Sequence, residues 1–245
     1  MRNFKTAFPI IVVIFFFTIL FYSCKKDPGT PAIETGTLTD IDGNVYKTVK
    51  IGTKWWMAEN LKTQRYRNGD SINFISQNKP NSVWSNLNTG AYCLIDDKYG
   101  FLYNYYTITD SREIAPEGWH IPDDNEWKEM EIYLGMSQED AGKLNWRGTD
   151  QGNKLKIVGG NTTYWANSSD IYQIFGTNES GFTAIGSACR MFDGQWGTIT
   201  HNAFWWSSSL SEDQACYRGL DYDKANVFRY YGPKNYGFSI RCVKN

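Results

Sequence analysis

Aromatic side chains are the feature of this sequence that most limits how the chain can fold. The 245 residues include 10 Trp, 16 Tyr and 14 Phe, which together are 16% of the chain. Rings of this size stabilise a fold only when most of their surface is removed from water, so the chain needs a large core. A chain of 245 residues can build such a core within one all-β or α+β domain. We therefore expect a single, aromatic-rich domain.

The charge balance excludes several classes of protein. Lys and Arg number 25 against 26 Asp and Glu, a formal net charge of −1, whereas nucleic-acid-binding proteins usually carry a basic excess or stripe. Hydrophobic residues are 41% and charged residues 21% of the chain, which is too apolar for a disordered protein. Because the chain has only two histidines, a three-histidine zinc site is excluded. We expect a folded domain with no nucleic-acid partner.

The N-terminal segment predicts export. Arg2 and Lys5 precede an uncharged apolar run over residues 7–22, which is shorter than the roughly 20 residues that span a bilayer. A basic start, a short apolar run and a small residue, here Ser23, are typical of a secretory signal peptide. Cys24 follows directly, so the segment resembles a bacterial lipoprotein signal with a relaxed cleavage motif. An uncleaved membrane helix is the alternative interpretation.

These features predict three regions along the chain. Residues 1–23 are a lipoprotein signal peptide, residues 24–36 are a lipidated Cys24 with a tether rich in Pro and Gly, and residues 37–245 are one domain. Acyl chains on Cys24 would hold the protein in membrane lipid. We expect a cell-envelope lipoprotein of the outer membrane, facing the periplasm or the cell exterior.

Four further cysteines lie in the predicted domain: Cys93, Cys189, Cys216 and Cys242. An even number in an oxidising compartment favours disulfides, and four cysteines allow three pairings. We favour Cys189–Cys216 and Cys93–Cys242. A zinc site of four thiolates is the competing interpretation, but the sequence contains no C-x2-C spacing.

Short helices are predicted in the middle of the chain. Asp123 followed by Glu126 forms a capping-box pattern, and Gly135 is placed to end the helix. Ser137 and Asp140 repeat the pattern for a second, shorter helix. Elsewhere the chain is strand-like and divided by turns, for example over residues 37–57 and from Trp165 to the end. Few helices among many short strands indicate an α+β fold.

Six segments in sequence order resemble one family. They are WMAENL at 56–61, YGFLYN at 99–104, GWHIPD at 118–123, NESGFTA at 178–184, WWSS at 205–208 and GFSIRCVK at 237–244. The chain is thereby similar, from about residue 40 to its end, to the Fibrobacter succinogenes major paralogous domain family. That resemblance implies an extracytoplasmic bacterial domain, often a lipoprotein, and it implies no particular biochemical activity.

A more distant likeness concerns the fold. HIPDDNEW at 120–127, together with GFSIRC near the end, is similar to the signature of formylglycine-generating enzymes and their C-type-lectin-like fold. The likeness implies a single α+β domain whose long loops form a binding face. Those enzymes use a closely spaced pair of reactive cysteines near the C-terminus, whereas Cys216 and Cys242 are far apart in this sequence. We therefore expect the fold to be shared but not the chemistry.

Catalytic patterns are weak in this sequence. It contains no G-x-S-x-G nucleophile motif, and His120 and His201 have no predicted partner that would complete a triad. We predict no catalytic residue and a protein that is not an enzyme. No cofactor is predicted either, except that Asp221 and Asp223 alternate along a strand-like segment and form a candidate calcium site.

The aromatic doublets suggest a binding surface. Successive residues of a strand point to opposite faces, so doublets such as Trp205-Trp206 and Tyr230-Tyr231 leave rings at the surface unless helices or loops cover the second face. Exposed rings suit sugars and also protein interfaces. The predicted ligand-binding residues combine rings and cations of the C-terminal region: Trp165, Trp205, Arg218, Tyr222, Arg229, Tyr230 and Tyr231.

From these residues we expect non-enzymatic binding of an extracellular glycan or polysaccharide. The first alternative is an adhesin or a structural subunit of a surface protein assembly, in which the same rings contact a protein. The second alternative is an enzyme that resembles the formylglycine-generating group, which would need a free reactive thiol.

Overall fold

The structure is a computed structural model that describes residues 32–94, 96–158, 164–166 and 176–245. The predicted signal peptide, Cys24 and all but the end of the predicted tether lie outside the described residues. In the described part of the chain, no helix has the length and apolar character required to cross a membrane.

Twelve strands are present among the described residues. In chain order they are β1 Thr35–Thr39, β2 Val45–Ile51, β3 Lys54–Met57, β4 Asn73–Phe74, β5 Ala91–Cys93, β6 Leu102–Tyr103, β7 Trp119–His120, β8 Asn145–Arg147, β9 Asn202–Ser211, β10 Gln214–Asp221, β11 Val227–Gly232 and β12 Val243–Lys244.

Five α-helices, all short, occur in the same described ranges. They are α1 Asn81–Ser85, α2 Tyr105–Ile108, α3 Asp124–Tyr133, α4 Gln138–Gly142 and α5 Gln151–Leu155. Few helices and several largely antiparallel sheets make this a mixed α+β fold, as the sequence predicts.

The first sheet has five strands in the order β1-β2-β3-β12-β7, with every neighbouring pair antiparallel. A hairpin turn at Asp42-Gly43, a dipeptide typical of such turns, joins β1 to β2, and Gly43 has a φ of 83°, which favours glycine. Asp40 organises this turn because its Oδ1 accepts hydrogen bonds from the backbone N–H groups of Asp42 and Asn44, both at 2.9 Å. Strand β12, close to the C-terminus, pairs with β3 and β7 and so ties the two ends of the domain together.

The second sheet has four strands in the antiparallel order β8-β11-β10-β9. A small third sheet has the order β4-β5-β6, in which β4 and β5 are parallel. Helix α3 packs between the two larger sheets. Its Trp127 ring lies 5.0 Å from the Trp56 ring of β3, and its Glu131 pairs with Arg218 of β10.

Helix α3 begins where the capping-box pattern predicts. Asp123 Oδ1 accepts from the backbone N–H of Glu126 at 2.8 Å, and the Glu126 carboxylate accepts from the backbone N–H of Asp123 at 2.9 Å. Ser137 caps α4 in the same way through its hydroxyl oxygen, which accepts from the backbone N–H of Asp140. Both predicted helix starts are confirmed.

Aromatic rings fill the core from both sides of the second sheet. Trp205 is buried on one face, where its Nε1–H donates to Asn60 at 2.9 Å. Trp206 is buried on the opposite face, where its Nε1–H donates to the carbonyl of Tyr103 at 2.7 Å. The doublet therefore sends one ring to each face as expected, but here both faces are covered.

The four cysteines correct a prediction. Cys93, Cys189, Cys216 and Cys242 are all free thiols, and all are buried, so neither predicted disulfide is present. Cys93 belongs to a small core cluster with Ala91 and Leu102, and the Cys216 Sγ lies 3.3 Å from an Asp124 oxygen. The even count misled because a small buried thiol is also an ordinary core residue.

Candidate functional site

Strand β11 decides which side chains reach each face of the second sheet. Val227 and Arg229 point towards helix α3 and are buried, whereas Phe228 and Tyr230 point to the opposite face and are half-buried and exposed, respectively. Phe228 pairs in register with Trp146 of β8, and Tyr230 pairs with Tyr217 of β10. Because residues opposite one another share a face, these rings lie together on the side away from α3.

The face towards α3 carries a buried network of charges. Arg229 donates from Nε and Nη2 to Asp124 at 2.8 and 2.7 Å. Arg218 donates from Nε to Glu131 at 2.8 Å, and its Nη2 lies 2.9 Å from Asp124. Arg147 also donates to Glu131, at 2.7 Å. All five side chains are nearly inaccessible to water, so this face is core and not a ligand site.

The opposite face carries a continuous row of aromatic rings. Neighbouring ring centroids are 5.1 Å apart for Trp146 and Phe228, 5.9 Å for Phe228 and Tyr230, and 6.0 Å for Phe228 and Tyr217. The row continues from Tyr217 to Tyr236 at 6.3 Å and from Tyr236 to Phe192 at 5.6 Å. We call this row the aromatic strip; its members are Trp146, Phe192, Tyr217, Phe228, Tyr230 and Tyr236.

Two glycines give the rings of the aromatic strip room to lie across the sheet. A Cβ at Gly219 would lie 2.7 Å from the Phe204 ring and 3.3 Å from Phe228. A Cβ at Gly232 would lie 2.9 Å from Tyr236. Glycine inside a strand usually weakens it, and here it lets large rings cross the backbone closely.

The aromatic strip is partly accessible to water. Tyr230 is 41% exposed and Phe192 is 46% exposed. Trp146, Phe228 and Tyr236 are half-buried, and Tyr217 between them is buried. A partly exposed run of rings on a sheet face can stack against flat, CH-rich surfaces, and its hydroxyl groups can form hydrogen bonds at the edge.

The predicted ligand-binding residues are only partly placed at this surface. Tyr230 belongs to the aromatic strip. Trp165 is buried, and its Nε1–H donates to the carbonyl of Ala184 at 3.0 Å. Tyr231 lies on the opposite face, where its hydroxyl accepts from Arg229, and Tyr222 packs against His201 with ring centroids 4.8 Å apart.

Three of these predictions fail because the side chains already have partners in the core. Arg218 forms ion pairs with Asp124 and Glu131, and Arg229 forms one with Asp124. Trp205 is 1% exposed, and its Nε1–H donates a hydrogen bond to Asn60. None of the three presents a free group to a ligand at the surface.

Tyr230 is the one member of the strip among the predicted ligand-binding residues; the other five members, Trp146 and Phe192 among them, were not predicted. Phe192 lies in a polar loop, and Trp146 lies on a three-residue strand that pairs with β11 far along the chain. The available signal was the spacing of Phe228 and Tyr230, two residues apart on one strand, which marks the face to which their neighbours belong.

The predicted calcium site is not assembled. Asp221 ends β10, and Asp223 lies in the turn that follows, so the two do not alternate on one strand. The Asp221 carboxylate accepts from the Asn202 amide at 2.6 Å, and the Lys224 ammonium lies 3.5 Å from Asp223. Among the described residues, no cluster of three or more His, Cys, Asp or Glu is placed to hold a metal ion.

Among the described residues, His120 is the one histidine whose side chain contacts a carboxylate. Its Nε2 lies 2.9 Å from Glu126, which already caps helix α3 and pairs with Lys54. Its Nδ1 lies 2.6 Å from the Asn245 side-chain oxygen. These contacts fasten the start of α3 to the five-stranded sheet.

Comparison with known proteins places this architecture in a family. No curated protein and no solved structure matches the chain. The model of the family described as the Fibrobacter succinogenes major domain matches residues 49–244, a span that runs from β2 to β12 and contains both larger sheets except β1 and the start of β2. The match confirms the family indicated by the sequence motifs: the chain belongs to the Fibrobacter succinogenes major domain family.

Proposed function

We propose that this protein is a non-enzymatic binding domain of the cell envelope and that it holds a glycan or polysaccharide on the aromatic strip. The observation that carries the proposal is the row of rings from Trp146 to Phe192, in which every ring except the buried Tyr217 is partly exposed. Sugar rings offer flat CH-rich faces that stack on aromatic rings, while their hydroxyl groups bond to polar groups around them.

The state of the thiols favours binding over thiol chemistry. Burial raises the pKa of Cys189 and of Cys216 to about 11, and it raises the pKa of Cys93 and of Cys242 further. Reactive cysteines are partly exposed and have lowered pKa values. An enzyme resembling the formylglycine-generating group is therefore the weakest of the three candidate functions.

We also propose that the protein is anchored in the outer membrane and that its domain has a C-type-lectin-like fold. An acylated Cys24 in the outer membrane would present the domain to ligands outside the cytoplasm. A C-type-lectin-like arrangement is consistent with the small number of helices among the described residues, the short strands and the pairing of the C-terminal strand β12 with β3.

Glycan-array binding by the full chain in detergent tests the proposal, once with calcium and once with chelator. We expect saturable binding to one class of glycan, unaffected by chelator. Tyr230→Ala should weaken this binding about tenfold, because it removes an exposed ring of the strip. Tyr133→Ala removes an exposed tyrosine on α3, outside the strip, and serves as the matched control with unchanged binding.

Two outcomes would contradict the proposal. One is the absence of saturable glycan binding, and the other is equal loss in Tyr230→Ala and Tyr133→Ala. A negative array would favour the role of an adhesin or structural subunit, in which the same rings meet a protein. Crosslinking in the native membrane would then identify the neighbouring subunit.

A further inference from the structure

A cavity of about 390 Å³ lies beside strand β2, away from the residues of the aromatic strip. Four cationic side chains line it, namely Lys47, Lys62, Lys98 and Arg241, against two acidic ones, Glu59 and Asp97. The chain as a whole carries a formal charge of −1. The lining of the cavity therefore carries a positive net charge, although the chain as a whole does not. The low-dielectric walls of a cavity strengthen the electrostatic field of the charges that line it.

Arg241 gives the cavity a buried cation that has no ion-pair partner among the described residues. Its Nε donates to the Asn60 side chain at 2.8 Å, its Nη2 donates to the carbonyl of Thr183 at 3.2 Å, and its Nη1 donates to the carbonyl of Phe182. All three acceptors are neutral. Among the described residues, no carboxylate lies within ion-pair distance of Arg241, although its side chain is 1% exposed.

Burying a guanidinium without an ion pair is unfavourable in free energy, which suggests that an anion binds near Arg241. A buried charge is normally paired, as Arg218 and Arg229 are with Asp124 on the other sheet. Burial lowers the pKa of Arg241, and the carboxylate of Glu59, which lines the same cavity, offsets this shift only in part. An anionic group in the cavity would supply that charge.

The other side chains that line the cavity indicate which kind of ligand it would bind. Lys47 is exposed and Lys62 half-buried, and neither forms an ion pair within the described ranges. Lys98 Nζ lies 4.7 Å above the Tyr99 ring, and Tyr164 lines the same space. Cations pair with carboxylate or sulfate oxygens, and tyrosine rings pack against sugar faces.

We propose that this cavity binds a saccharide bearing carboxylate or sulfate groups, with Lys47, Lys62 and Arg241 supplying the opposing charge. The site extends the proposed function, because it selects for charge, which the aromatic strip does not. It shares no residue with the strip.

The test is calorimetric titration of the full chain in detergent with two pairs of probes. One pair is oligogalacturonate and its methyl ester, and the other is sulfated and unsulfated dextran oligosaccharide. Each pair changes the charge and keeps the sugar. We expect at least one charged probe to bind, its neutral partner to bind about tenfold more weakly or not at all, and binding to weaken as salt rises from about 0.05 to about 0.5 M.

Variants locate the site. Lys47→Gln/Lys62→Gln should weaken binding of the charged probe about tenfold or more. Lys79→Gln/Lys244→Gln makes the same change of charge at exposed lysines outside the cavity and should bind as the parent does. The lysines are chosen because replacing Arg241 would also remove three hydrogen bonds from the core.

The proposal is overturned if neither charged probe binds, if each neutral partner binds equally well, or if both double variants lose binding equally. Tyr230→Ala, run in parallel, separates this site from the aromatic strip. It should retain binding of the charged probe. Loss in Tyr230→Ala with full binding by Lys47→Gln/Lys62→Gln would place the charged saccharide on the strip and refute the cavity.

Discussion

Asp124 is the residue on which the buried charge network depends. It bonds Arg229 through both oxygens, lies 2.9 Å from Arg218 and accepts from Lys128 at 2.6 Å. Burial opposes its ionisation, but Arg229 and Arg218 outweigh burial and hold the pKa of this carboxyl well below its usual value. The first residue of α3 thereby fixes the helix to β10 and β11.

Replacing Asp124 should destabilise the domain strongly. Asp124→Asn leaves the buried Arg229 without a counter-charge and leaves Arg218 paired with Glu131 alone. Breaking a buried pair in this way costs about 3–5 kcal/mol. Urea unfolding measures the loss. Glu139→Gln is the control, because its pair with Lys143 is solvent-exposed, and its loss should be within about 1 kcal/mol.

The same carboxylate sets a dependence on pH. Its folded-state pKa lies below its unfolded value of about 3.9, so the stabilisation is complete above about pH 5 and is lost as pH falls through the folded pKa. The difference in unfolding free energy between the parent and Asp124→Asn should therefore shrink on acidification below about pH 5. A difference that is constant from pH 7 to pH 3 would contradict the assigned role.

The buried thiols give a second prediction for single residues. At pH 8, iodoacetamide should leave Cys93, Cys189, Cys216 and Cys242 unmodified in the folded full chain, because burial keeps them protonated and inaccessible. In denaturant without reductant, mass spectrometry after digestion should find all four alkylated. If alkylation of the unfolded chain required reductant, the cysteines would be paired in disulfides and the free-thiol structure would be wrong.

At the scale of elements, helix α3 depends on its first turn. Asp123→Ala removes the hydrogen bond that Asp123 Oδ1 accepts from the backbone N–H of Glu126 and should lower the free energy of unfolding by about 1 kcal/mol. Asp150→Ala makes the same change at the start of α5, where no side-chain cap bond exists, and should cost less than half as much. Equal losses in thermal or urea unfolding would show that the capping box of α3 contributes no special stability.

Local signals predicted elements well where the deciding contacts are close in sequence. Asp123 with Glu126 and the turn at Asp42-Gly43 act over two to four residues, so their effects are visible in the sequence alone. Pairing across long separations was not predictable in this way. Strand β8 joins β11, and β12 joins β3, because of core packing that no local pattern specifies.

At the scale of the whole molecule, the sequence predicted an aromatic α+β domain and its family correctly. Several of the predicted ligand-binding residues, however, are buried in the core. Alternation along a strand shows that Trp205 and Trp206 face opposite ways, and it does not show which face a helix covers. The sequence does not reveal that Arg218 and Arg229 are buried, because Arg218 lies 87 residues from its partner Glu131 and Arg229 lies 105 residues from its partner Asp124. Burial, which separates core from site, is a property of the assembled fold.

The measurement that tests the aromatic strip most directly is an NMR titration of the full chain in detergent with the glycan selected on the array, following the tryptophan indole N–H signals. Trp146, half-buried on the strip, should shift and saturate with the ligand. Trp205, buried and bonded to Asn60, should not shift. Saturable binding that leaves the Trp146 signal unchanged while other indole signals move would contradict the account and place the ligand elsewhere on the domain.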